Sequence, residues 1–128
     1  MKKIGFEDFD TMHEEEFEIL AKVVAKIKNH LEYNEEIEKF LKHLNVHFFQ
    51  EIELMEKYNY PLTPNHNQEH IKIIGEIERM LDKSPDELLE FIKNRLIPLM
   101  EEHIQTFDKI MADYLKEAIK DEEFYQEK

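Results

Sequence analysis

HFFQEIELMEKYNYPLTPNHNQEH, residues 47–70, sets His47 and Glu51 four positions apart, breaks at Asn59-Tyr60-Pro61, and then sets His66 and His70 four positions apart. Residues i and i+4 share one face of a helix, one turn apart. Each pair is therefore a two-toothed clamp if its segment is helical. Imidazole and carboxylate together suit intermediate first-row metals. The rest of the chain is then asked whether it supplies the remaining ligands.

The flanking segments read as amphipathic helices. In the first, Asp8, Asp10 or Thr11 can cap, with Glu14 completing a capping box. Its apolar stripe is His13, Phe17, Leu20, Val24, Ile27 and Leu31, and residues 1–7 read as an N-terminal arm. Asn34 can cap a second helix, whose stripe is Ile37, Phe40, Leu41, Leu44, His47 with Phe48, Glu51, Leu54 and Met55. Glu51 is the anomaly there, because an inward carboxylate is rarely buried unless paired or on a metal. His43, one turn before His47, reads as partly exposed or as a residue behind the ligands, and His30 has no partner on a stripe. A third helix carries His66, His70, Ile73, Ile77, Met80 and Leu81. Ser84-Pro85-Asp86-Glu87 is a strong start signal for a fourth. Its stripe is Leu88, Phe91, Ile92, Leu96, Leu99, Met100, His103, Phe107, Ile110, Met111 and Tyr114. Pro98 should bend it, and residues 121–128 read as a frayed tail.

Composition narrows the function classes. The chain has 128 residues, 41% of them hydrophobic and 37% charged, with Gly 2 and Pro 4. Such a composition belongs to one domain, residues 1–128, of long helices and short links. A net charge of −13 leaves no basic stripe for nucleic acid or an anionic membrane. No cysteine is present, so thiolate sites and disulfides are excluded. No secretory signal or membrane-spanning window is found, and a cytoplasmic protein is expected.

Four such helices make an all-α, up-down-up-down antiparallel four-helix bundle. His13, His66 and His70 come early in the first and third helices. His47, Glu51, His103 and Asp108 come late in the second and fourth. Antiparallel neighbours bring all seven to one level, inside one end of the bundle. Five imidazoles and two carboxylates are too many for one tetrahedral zinc. They suit two ions if the carboxylates bridge, with histidines split three and two. With a bridging solvent oxygen, one ion is six-coordinate and the other five-coordinate, leaving one position open for a small ligand.

His47-x3-Glu51, His66-x3-His70 and His103-x4-Asp108, preceded by His13, resemble the hemerythrin family in its bacterial single-domain form. The resemblance runs from about Phe6 to Leu115. Leu54-Met55 followed by Tyr60-Pro61 is similar to the family's link between helices two and three, and His47-Phe48 and His103-Ile104 to its ligand-plus-pocket pairs. The resemblance implies reversible O2 binding for storage, delivery or sensing, at two iron ions with a bridging oxo or hydroxo group. It implies that His66, His70 and His103 hold the six-coordinate iron, that His13 and His47 hold the open one, and that Glu51 and Asp108 bridge. O2 would bind as hydroperoxide at the open iron, with NO, a small anion or peroxidase chemistry as alternatives on the same site. The protein is thus expected to be an oxygen binder, with no catalytic residue assigned. The lack of an attached signalling domain favours binding or delivery over sensing. Phe48, Ile73, Leu99, Met100 and Ile104 are the candidate ligand pocket. Leu99 stands where the family usually has tryptophan, and Ile52 where it often has a second glutamate.

Two rivals are weighed. His66-x-x-Glu69-His70 fits a zinc-peptidase pattern with Glu69 as general base, but leaves His47, Glu51, His103 and Asp108 unexplained. A ferritin-like oxidase needs Glu-x-x-His pairs, and no histidine here has glutamate three residues before it. One geometric difficulty remains in the fourth helix. Five residues at ~100° each put His103 and Asp108 roughly 140° apart on a regular helix, against about 40° for an i, i+4 pair. A widened π turn between them resolves this; approach from the two flanks of a regular helix is the alternative.

Overall fold

The computed structural model describes residues 3–126, and every regular element in them is helical. The elements are α1 (Glu7–Lys28), α2 (Asn34–Lys57), α3 (Thr63–Met80), α4 (Pro85–Phe91), α5 (Ile97–His103) and α6 (Lys109–Gln126). Two π segments, Ile92–Leu96 and Ile104–Asp108, join α4 to α5 and α5 to α6 into one continuous fourth run. None of the described helices is long and apolar enough to cross a membrane.

The expected boundaries hold with specific exceptions. α1 begins at Glu7, ahead of the expected caps, and no side chain caps it. Asp10 instead reaches back beyond the helix: its carboxylate accepts the Ile4 N–H at 2.8 Å and the Gly5 N–H at 3.1 Å. Gly5 has φ +83°, a conformation glycine adopts at little cost. That turn folds the arm over so that Ile4 is buried with Phe9, Met111 and Leu115. Asn34 is the first residue of α2 rather than its side-chain cap. Ser84 does cap α4: its Oγ accepts the Glu87 N–H at 3.2 Å and donates to Glu87 Oε1 at 3.1 Å. At the far end α6 continues to Gln126, so residues 121–126 are helical; positions 127–128 lie outside the described residues, as do positions 1–2 of the arm.

His30 and Asn59 both have positive φ, 57° and 55°. Each sits just past a helix end, where a left-handed residue lets the next N–H bond back to an orphan carbonyl. Leu31 N–H reaches Lys26 O and Tyr60 N–H reaches Met55 O, both at 2.9 Å. His30 is therefore a helix-terminating residue. Leu31, expected on the first apolar stripe, lies past this stop and is 58% exposed. Leu81, beyond the end of α3, is also exposed. The Tyr114 hydroxyl donates to Tyr58 O at 2.7 Å, tying α6 to the α2–α3 turn.

Buried apolar residues form two clusters. One gathers Leu20, Val23, Phe40, Leu44, Phe48, Ile73, Leu96 and Met100, among others. The second holds Ile4, Phe9, Met55, Ile104, Met111 and Leu115. Along α2 the inward residues run Leu44, His47, Glu51, Met55, passing from the first cluster through a polar layer to the second. The fourth run repeats this as Met100, His103, Asp108, Met111.

Candidate metal centre

The polar layer consists of His13 from α1, His47 and Glu51 from α2, His66 and His70 from α3, His103 from α5 and Asp108 at the end of the second π segment, all buried. These are the seven residues singled out in the sequence, and the fold brings them together. Their donor atoms fall into two groups: Glu51, His66, His70, His103 and Asp108 in one, and His13, His47, Glu51 and Asp108 in the other. Within each group the atoms lie within 4.8 Å of one another. The two carboxylates belong to both groups.

Each carboxylate divides its oxygens between them. Glu51 Oε1 lies 3.0 Å from Nε2 of both His66 and His70, while Oε2 faces His47 Nε2. Asp108 Oδ1 lies 3.0 Å from His66 Nε2 and 3.1 Å from His103 Nε2, while Oδ2 lies 3.1 Å from His13 Nε2. Several of these approaches are not hydrogen bonds. Nε2 of His13, His47 and His103, Glu51 Oε2 and both Asp108 oxygens are buried without a hydrogen-bond partner. A buried polar atom left so costs free energy. Lone pairs that converge without bonding one another are satisfied by a shared cation, and this donor set fits two.

Asp108 reaches the layer because the helix widens. The Lys109 N–H bonds Ile104 O, five residues back, so His103 and Asp108 point to one side, and regular helical bonding across this stretch is ruled out. The extra residue also advances the inward face of everything downstream by one position. The expected stripe of Phe107, Ile110, Met111 and Tyr114 becomes Asp108, Met111, Ala112 and Leu115, with Ile110 54% exposed. Pro98 is not the cause. A separate π turn, closed by the Ile97 N–H on Ile92 O, lies directly before Pro98, where a missing N–H and ring clash disturb a regular turn.

Electrostatics in the metal-free chain reflect crowding of opposite charges. Burial opposes protonation of His47, but the Glu51 and Glu16 carboxylates override it and hold its pKa well above the usual imidazole value. Burial likewise opposes His66, yet the adjacent Asp108 and Glu51 carboxylates push it up to about 9. His70 is lowered, chiefly by burial. Burial and the Asp108 charge would raise Glu51, but His47 and His66 hold it below the ordinary carboxylate range. Burial opposes ionisation of Asp108 too, and His103, His13 and His66 keep it well below that range.

A small cavity borders the layer, leaving about 10 Å³ for the centre of a water-sized molecule, roughly what one water needs. Phe48, Ile73, Met100 and Ile104 line it with Leu44, beside His13, His47, His103 and Asp108. Leu99 does not: it is buried in the larger apolar cluster. Adjacent helical residues point about 100° apart, and Met100 takes the inward position. Leu44 replaces Leu99 in the wall. Phe48 also stacks on His70, with ring centroids 3.7 Å apart.

Over 122 residues the chain is 28% identical to the bacteriohemerythrin of Aquifex aeolicus (strain VF5), covering 90% of this chain and 93% of that protein. The likeness runs over nearly the full length of both chains. No model of a known protein family matches it, and no solved structure matches it. The site includes one buried acid that the sequence reading passed over. Glu16 lies three residues after His13 on the inward face of α1 and is 1% exposed. In sequence only its neighbour Glu14 drew notice, as part of a capping box, and the i+3 spacing of Glu16 from His13 was the available signal. Its Oε2 accepts from His47 Nδ1 at 2.6 Å and from His43 Nδ1 at 3.0 Å. Glu69, the base required by the peptidase reading, is in neither donor group.

Proposed function

We propose that this chain binds O2 reversibly at two iron ions inside an up-down-up-down bundle spanning residues 1–128. The observation that carries the reading is the sharing of Glu51 and Asp108 between two buried donor groups, each carboxylate offering one oxygen to either side. That is the arrangement of bridging ligands, and an overlap of this kind has no use in a site for one ion. Iron is favoured by the nitrogen and oxygen donors and by the likeness to a bacteriohemerythrin.

His66, His70 and His103 would hold one ion and His13 and His47 the other, so the second has one protein ligand fewer. When bound, the two ferrous ions supply two electrons and an open coordination position for O2. The protein's part is to orient, to exclude water and to balance charge. Glu51 and Asp108 would offset the charge of the cations with two negative charges. Phe48, Ile73, Met100, Ile104 and Leu44 give the neighbouring cavity an apolar wall. A small apolar gas enters such a space at little cost, whereas water or an anion loses its hydration there. The absorption spectrum of the iron-loaded, reduced protein tests this. It should change on adding O2 and return when O2 is removed. A change that does not reverse, or no change, contradicts reversible binding and turns the reading toward peroxidase or NO chemistry.

A further inference from the structure

A chain of hydrogen bonds leads from the α1–α2 surface to the layer. Glu15, 52% exposed, meets His43 Nε2 at 2.6 Å; His43 Nδ1 meets Glu16 Oε2 at 3.0 Å; and the same oxygen meets His47 Nδ1 at 2.6 Å. His43 lies in the wall of a groove of about 560 Å³ between α1 and α2. We infer that Glu16 is a positioning residue for His47, fixing the imidazole with Nε2 toward the His13-side ion and lending it negative charge, while His43, braced by Glu15, holds Glu16 in place. The inference rests on the metal-centre reading above.

A carboxylate oxygen can only accept. Nδ1 of His47 must therefore carry the proton, which leaves Nε2 for the ion. An outer carboxylate of this kind fixes ring orientation and makes the imidazole a stronger donor. Among the described residues, the hydrogen-bond and ion-pair partners of Glu16 are both histidines, His43 and His47. Its spacing explains the geometry: His13 and Glu16 share one face of α1, and His43 and His47 share one face of α2, so the two faces interlock as ligand and support.

Cobalt(II) titration of metal-free protein, with NMR of the histidine N–H protons in zinc-loaded protein, tests this without using O2 chemistry. Glu16→Ala should weaken one of two bound equivalents by about 10- to 100-fold and leave the other unchanged. The exchange-protected Nδ1–H signal of His47 should be lost. Glu16→Gln keeps an accepting oxygen but not the charge, so the signal should persist with an intermediate weakening. His43→Phe should weaken the same equivalent by less. Glu14→Gln, which removes one charge from an exposed position of the same helix, should match wild type. In iron-loaded protein both Glu16 variants should shift the midpoint potential upward. Wild-type affinity and a protected His47 signal in Glu16→Ala would overturn the inference, as would equal weakening of both equivalents. Should Glu16→Ala fail to fold, Glu16→Gln and His43→Phe decide. Failure of wild type to bind cobalt or zinc at all would overturn the metal-centre reading, and this inference with it.

Discussion

Glu51 shows how much one residue reports. In sequence it was a charge on an apolar stripe; in the fold it is fully buried, with one oxygen on each donor group. Glu51→Ala should halve or abolish metal uptake. It should also destabilise the metal-free chain by about 3–5 kcal/mol, because charged imidazoles are left buried and unpaired; metal analysis and urea denaturation check both. Met100→Ala should cost about 2–5 kcal/mol by enlarging the cavity. It should keep both ions yet oxidise faster in air, since water gains entry. The titrating residues give a pH signature. His47 and His66 are raised, so their contribution is full below about 6.5, the unfolded value, and is lost as pH rises, for His66 through about 9. Glu51 and Asp108 are lowered, so theirs is present above about 4 and lost as pH falls. His70, lowered, detracts below its unfolded value. Metal-free protein should therefore be most stable near pH 5–6.5 and weaken toward pH 9. Metal affinity should rise over that alkaline interval, because the ion displaces protons from His47 and His66. Thermal melts and metal titrations at pH 6 and 9 should move in opposite directions.

At the scale of the element, the fourth run was legible in part. The His103–Asp108 spacing foretold the π turn, since a regular helix would have sent the two side chains apart. Its consequence for Ile110 and Leu115 was not read, because a period counted along the sequence does not register an added residue. The π turn before Pro98 was not read either; Pro98 was expected only to bend the run. The two π turns are separate, so Pro98→Ala should let the first relax while leaving metal stoichiometry intact. Deleting Thr106 should instead restore a regular turn and swing Asp108 off the layer. It should withdraw Met111, Ala112 and Leu115 from the core, with loss of metal binding and a large fall in melting temperature. Capping was legible where side chains do the work, as at Ser84, and not where backbone does. The left-handed stops at His30 and Asn59 and the Asp10 latch on the arm follow from tertiary closure rather than from local pattern.

Across the whole molecule, four amphipathic runs converge seven polar side chains on one layer between two apolar clusters. The ligand set was readable because metal donors must interrupt apolar stripes, and each interruption is conspicuous. Glu16 was not, because acids on a chain of net charge −13 ordinarily face water. The same convergence makes the metal-free fold carry buried charge that ions would balance, so loading should raise the melting temperature, and the rise should grow with the logarithm of the ligand excess. Elemental analysis of iron-reconstituted protein decides whether this layer holds two ions or one: two irons per chain are expected, and a single metal per chain, zinc or iron, would rule out a carboxylate-bridged pair.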